Sequence, residues 1–122
     1  MTELFSFTDI KVIHYRQYIG QPHQVYCART NAHYKLVASP LANIFHADTE
    51  SDRDRVCDLY EQYFDVQVKL HDKLFMDELE RLLALYLEHG KLELMCWCKP
   101  KRCHCDTIQR YLVNRINEQA IL

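Results

Sequence analysis

The residue pattern predicts an α/β fold, a small three-layer sandwich with a partly parallel sheet, built as one domain over residues 1–122. Three observations carry that prediction. Strand-like segments come first, followed by two long segments of helical period, then a further strand and a further helix. A chain of 122 residues fits one domain and can bury roughly two-thirds of its unfolded surface. Glycine and proline number only two and three, so long structureless stretches are not expected.

Ile10 to His14 alternates loosely and carries Val12 and Ile13, which reads as a first strand. Tyr18-Ile19-Gly20-Gln21-Pro22 reads as a turn, because glycine permits positive φ and proline fixes φ. Val25 to Ala28 and Tyr34 to Ala38 are short strand candidates, and Ser39 to Asn43 reads as an ordered loop. From about Asp52 to Lys69, Val56, Leu59, Tyr60, Tyr63 and Phe64 fall at helical spacing. Thr49 or Ser51 can cap that helix, and Glu50, Asp52 and Asp54 suit the positive end of its dipole. A second helix runs from about Asp72 to His89 with Leu74, Phe75, Leu79, Leu82, Leu83, Tyr86 and Leu87 on one stripe, and Gly90 stops it. Leu92 to Trp97 reads as a buried strand ended by Pro100. A last helix follows from Cys103 or His104 to Asn117, with Ile108, Leu112, Val113 and Ile116 on one face.

The formal net charge is −2. Phosphate neutralisation supplies most non-specific affinity for nucleic acid, so general nucleic-acid binding is not expected. No apolar run approaches the roughly 20 residues that span a bilayer. Met1-Thr2-Glu3-Leu4-Phe5 lacks the basic and apolar pattern of a secretory signal. The expected location is cytoplasmic, with no membrane partner. Paired carboxylates at a telling spacing, a serine nucleophile elbow and a phosphate-cradling glycine loop are all absent from the sequence.

Four of the six cysteines fall within residues 96–105. In a reducing compartment such thiols read as metal ligands, reactive groups or small core residues. Side chains two apart on a strand share a face, so Cys96 and Cys98 point together and Trp97 points away. The bend at Pro100 brings Cys103 and His104 back to the same end of the sheet. Three thiols and an imidazole then form a soft S₃N set that zinc accepts, although one residue inside each cysteine pair is an unusual spacing. Without metal, a cysteine at a helix N-terminus beside His104, Lys99, Lys101 and Arg102 favours its thiolate. Cys103, His104 and Asp106 are then the candidate catalytic groups. The same helix end also suits a phosphate. Asp106 either orients His104 or caps the helix. Cys27 and Cys57 read as packed small hydrophobes. Arg53 stands in a first helical turn, where the dipole does not favour it, and pairs with Glu50 or Asp54 or meets a ligand. Asn43 and Ser39 either contact a ligand or pin their own loop.

Ser39-Pro40-Leu41-Ala42-Asn43-Ile44-Phe45, Arg53-Asp54-Arg55-Val56 leading to Tyr60, and Cys96-Trp97-Cys98-Lys99-Pro100 followed by Cys103-His104 and Asp106 occur in this order, preceded by Tyr18-Ile19-Gly20. On these motifs residues 10–115 resemble domain-of-unknown-function family 4326, small Rossmann-like α/β proteins of bacteriophages and bacteria. The resemblance implies a fold and a site but no reaction. It maps the family's motif residues onto Gly20, Ser39, Pro40, Asn43, Phe45, Arg53, Cys96, Cys98, Pro100, Cys103, His104 and Asp106. Ile44, Gln21 and Cys105 depart from the family pattern; Gln21 weakens an anion site at the Gly20 turn, and Cys105 reads as an extra thiol outside the site. The expected metal set is therefore Cys96, Cys98, Cys103 and His104. The expected ligand contacts are Gly20, Ser39, Asn43, Arg53, Lys99 and Arg102.

Three functions fit these residues. The first is binding of a nucleotide or similar phosphorylated small ligand near Cys96–Asp106, which in a phage-encoded protein would serve host modulation or counter-defence in the host cytoplasm. The second is a zinc-stabilised module whose partner is a host protein. The third is a thiol-dependent enzyme acting on nucleotides. Whether the chain assembles into an oligomer is left open.

Overall fold

A computed structural model describes residues 8–121 and has the expected α/β architecture; the Met1–Phe5 segment lies outside the described residues. β1 (Ile10–His14), β2 (Gln24–Tyr26) and β3 (Leu92–Cys96) form a sheet in the order β1-β3-β2. Both pairings are parallel, so the described sheet is parallel throughout. Val12 and Val25 flank Leu94, and His14 lies opposite Cys96. Residues paired this way share a face. Ile10, Val25, Leu92, Leu94 and Cys96 accordingly enter one core cluster with the helices.

Three long helices supply the rest of that core: α1 (Arg53–Lys69), α2 (Lys73–His89) and α3 (Cys105–Ile121). Tyr60 and Phe64 of α1, Phe75, Leu79, Leu82 and Leu83 of α2, and Ile108 and Leu112 of α3 are all buried. Burying each such side chain contributes about 1.5–3 kcal/mol. α3 packs on β1 and β3, and α2 packs on β3. Asp72 caps α2 by accepting from the Phe75 amide at 3.1 Å, and Gly90 ends it in the left-handed region at φ 72°. Leu74 and Leu87, expected on the buried stripe, are exposed because they lie at its margin, away from Leu79 and Leu82.

The third layer is not a helix. Since β1 and β2 both run parallel to the β3 between them, residues 15–23 must return along the sheet. The Tyr15 ring packs on Tyr26 and Trp97, whose side chains belong to the face opposite the helices. Gln24 anchors this return. Its Oε1 accepts from the Ile19 and Gln21 amides at 2.9 and 3.2 Å, and its Nε2 donates to Glu93 Oε1 at 2.8 Å.

Two expectations need correction. Tyr34–Ala38 is not a strand: the segment makes one antiparallel bridge, Asn31 with Leu36, and turns at Lys35 with φ 56°. Among the described residues no strand lies alongside to pair with it, and Val37 is exposed. Neither Thr49 nor Ser51 caps α1 with its side chain; the helix begins instead through a 3-10 turn, Glu50–Asp52, and the two hydroxyls bond each other at 2.8 Å.

The loop Ser39–Asn43 is tied down by α1. Tyr60, fully buried, donates its hydroxyl to the Leu41 carbonyl at 2.7 Å. Tyr60→Phe leaves that carbonyl without its partner and is expected to cost about 1–3 kcal/mol in denaturant unfolding. Burial pushes the Tyr60 phenol well above its usual range. A raised folded value contributes stability that is fully present below the unfolded pKa, about 10, and is lost as pH rises beyond it. The gap between the parent protein and Tyr60→Phe should therefore narrow above pH ~10.

Candidate functional site

A cavity of about 350 Å³ opens at the carboxyl ends of β2 and β3, where ligands bind in parallel α/β sheets. Two loops build it. Residues 27–31 follow β2, and residues 97–104 follow β3. The first loop is held by a relay: Trp97 Nε1 donates to the Tyr26 hydroxyl at 2.8 Å, and that hydroxyl donates to the Arg29 carbonyl. Trp97 is itself wedged between Tyr15 and Tyr34, with ring centroids 5.0 and 5.3 Å away.

One wall of the cavity is sulfur. Cys57, Cys96, Cys98 and Cys103 line it. Cys96, Cys103 and Cys105 are buried, and their Sγ atoms all lie within 4.8 Å of one another. Zn–S bonds of about 2.3 Å in a tetrahedron place sulfurs roughly 3.8 Å apart, so this triad has the spacing and the donor chemistry of a metal site. The group also shares protons unequally. Cys103 and Cys105 donate to Cys96, and the Cys98 and Lys99 amides add to this, which holds the Cys96 thiol down to about 2. Cys105 is pushed up by its bonds to Cys103, Cys27 and Cys96 and by burial. For Cys103 the Cys105 thiol acts downward, but Cys96, Cys98 and burial outweigh it and the value rises. Cys98 is lowered to about 6 by Cys103 and by the Arg53 guanidinium.

His104 points into this end of the core. Its Nε2 lies 2.6 Å from the Cys27 carbonyl, which can only accept, so Nε2 carries the proton and Nδ1 does not. Nδ1 sits 3.5 Å from Cys103 Sγ, the ring packs edge-on against Tyr60 at 5.1 Å, and burial lowers its pKa.

The structure distributes the remaining expected site residues as follows. Asn43, Arg53, Arg102, Cys96, Cys98, Cys103 and His104 all border the cavity. Gly20, Ser39, Lys99 and Asp106 do not. The amides flanking Gly20 are already bonded to Gln24, and Gly20 itself turns the chain at φ 77°. Ser39 Oγ accepts from the Leu41 amide at 3.0 Å and pins its own loop. Asn43 does the same through Phe45 at 2.9 Å, and its amide donates to the Val56 carbonyl at 3.4 Å. Asp106 does not orient His104; one oxygen accepts from the Cys103 amide at 3.1 Å, and the other pairs with Lys99 at 3.0 Å. Cys103, one of the candidate catalytic groups, borders the cavity but is buried, and the thiols of Cys96 and Cys98 with burial push its own thiol up.

The cavity's arginines differ in what they hold. Arg53 forks onto Glu50 at 2.7 and 2.9 Å and reaches the Arg102 carbonyl at 3.1 Å. Arg102 bridges Asp54, Asp58 and Glu61 at 3.1, 2.8 and 2.8 Å. These contacts are partly exposed, so Arg102→Ala is expected to lower stability by no more than about 1 kcal/mol in chemical denaturation. Arg29 has no carboxylate partner among the described residues; its guanidinium meets only the His46 ring, at 2.8 and 3.0 Å.

Sequence reasoning passed over Arg29, Trp97, Tyr26 and Cys105. The first three adjoin the carboxyl ends of strands that the sequence does reveal, so the strand-end rule is the signal that nominates them. Cys105, read as an extra thiol, stands with Cys96 and Cys103 in the buried triad. Cys27, read as simple packing, adjoins Cys105.

Within the described residues no helix is long and apolar enough to cross a membrane. No curated protein and no solved structure matches the chain. The family model described as Domain of unknown function (DUF4326) matches residues 10–114. That match takes in all three strands, both cavity loops and the thiol triad, and the chain belongs to this family.

Proposed function

We propose that the protein binds a nucleotide or similar phosphorylated small ligand in the strand-end cavity. The observation that supports this reading is Arg29, a cation without a carboxylate partner among the described residues, at the rim of a cavity that also offers the aromatic side chains of Trp97 and Tyr26. A guanidinium presents a planar fork of donors that matches a phosphate. Flat aromatic side chains suit a base, and Asn31 supplies amide donors and acceptors for its edge. The volume falls within the range of small-molecule sites. Thermal shift against nucleotides, dinucleotides and NAD-derived compounds, each paired with its dephosphorylated counterpart, tests the reading. A ligand at a hundred times its Kd stabilises by about 2.7 kcal/mol. The expected result is a rise in melting temperature that needs the phosphate. No shift from any compound at millimolar concentration would remove the proposal.

A second reading concerns the neighbouring sulfur wall. The buried Cys96, Cys103 and Cys105 are suited to zinc, the soft-ligand metal of such sets, which would tie the end of β3 and the loop after it to the start of α3. This role is compatible with ligand binding and also with a zinc-stabilised module that docks on a protein partner. Metal analysis of protein purified without added metal separates the readings: stoichiometric zinc supports the ion, and its absence together with chelator-independent melting excludes it.

A further inference from the structure

We propose that Cys98 is the fourth, cavity-facing ligand of the metal ion held by Cys96, Cys103 and Cys105, so that a four-thiolate centre forms the floor of the cavity. The inference rests on the zinc reading above and adds the identity of its last ligand. A tetrahedral ion on three sulfurs has one corner left. Cys105 is fully buried and does not border the cavity, whereas Cys96 and Cys103 do. The free corner of the triad therefore faces the cavity, on the side where Cys98 stands.

Two donors compete for that corner. Neither the Cys98 sulfur nor a His104 nitrogen belongs to the set that lies within 4.8 Å all round, so either must move to ligate. His104 Nδ1 is unprotonated and stands 3.5 Å from Cys103 Sγ, but the ring is fixed where it is: Nε2 donates to the Cys27 carbonyl at 2.6 Å, Tyr60 packs edge-on against it, and the residue is buried. Cys98 is free to turn. It is only partly buried, it follows the end of β3, and its sulfur already adjoins that of Cys103. Arg53, which lines the cavity beside Cys98, and Lys99, next in sequence to Cys98, bring cations to this side of the site, each also paired with a carboxylate, Glu50 and Asp106.

Cobalt(II) serves as the probe, added anaerobically to the reduced, zinc-free full chain. Sulfur-to-cobalt charge-transfer absorption counts the thiolates. The expected result is one cobalt per chain in the parent protein, with Cys98→Ser still taking one ion but losing about a quarter of the charge-transfer intensity. His104→Gln is expected to retain the full intensity. If Cys98→Ser keeps the parent spectrum while His104→Gln loses intensity, the imidazole is the fourth ligand and the inference is overturned. If the parent protein takes up no cobalt, the zinc reading itself falls. Alkylation followed by mass spectrometry makes the same test without a variant: zinc should block labelling of Cys98, and chelation should restore it. Equal labelling in both states contradicts the assignment.

Discussion

Arg29→Ala is expected to weaken binding of a nucleoside phosphate by roughly 10- to 100-fold. A hydrogen bond to a charged group contributes about 1.5–3 kcal/mol, and each 1.4 kcal/mol is tenfold in affinity. Stability should hardly change, because Arg29 is exposed and its side chain meets only the His46 ring; such surface substitutions stay within about 0.5 kcal/mol. The backbone of this loop is fixed independently, by the Trp97–Tyr26 relay onto the Arg29 carbonyl and by the Cys27 amide on the Met95 carbonyl at 3.1 Å. Calorimetric titration alongside thermal melting reads both quantities. The same dephosphorylated ligand should bind the parent and the variant about equally, since the lost contact is to phosphate.

Removing metal should have the largest effect on stability. Structural zinc contributes on the order of 10 kcal/mol in small zinc domains. Cys96, Cys103 and Cys105 belong to the same core cluster as Leu94, Ile108 and Leu112, so loss of the proposed zinc should loosen that core as well as the site. The expected result is a fall in melting temperature of roughly 10 °C or more on chelation, given the few degrees that each kcal/mol is worth in a domain of this size. Cys96, Cys103 and Cys105 should then become alkylatable together, while Cys57, on α1, keeps its slow rate. A melting curve indifferent to chelator would show the triad to be a packed thiol cluster and nothing more.

Apolar spacing exposed the elements that feed the core. β1, β3 and all three helices follow from apolar spacing, because one face of each meets the core formed by Tyr60, Leu79, Leu94 and Ile108. Tyr34–Ala38 carries strand-like residues but has no pairing partner, and its Tyr34 ring packs on Trp97 instead. Composition cannot reveal that a neighbouring strand is missing. The sulfur site was legible as a cluster, but not the place of Cys105 in it. Alternation put Cys96 and Cys98 on one face with Trp97 on the other, and both cysteines border the cavity, but Cys105 enters through the first turn of α3, where strand parity no longer applies. The roles of Arg53 and Arg102 turn on where distant carboxylates fall, with Arg102 meeting Asp54, Asp58 and Glu61 from more than forty positions along the chain. Arg29 stands out only by contrast with those two, and that contrast needs coordinates.

Ligand binding at the strand ends is the claim on which most of this account depends, and amide and indole chemical-shift mapping on an ¹⁵N-labelled sample addresses it directly. On titration with the best-stabilising nucleotide, the account predicts that the Trp97 indole N–H and the amides of Arg29, Thr30 and Asn31 move together and saturate, while Gly20 and Leu70 stay in place. Shifts that gather away from the cavity, or a spectrum unchanged at millimolar nucleotide, would contradict it.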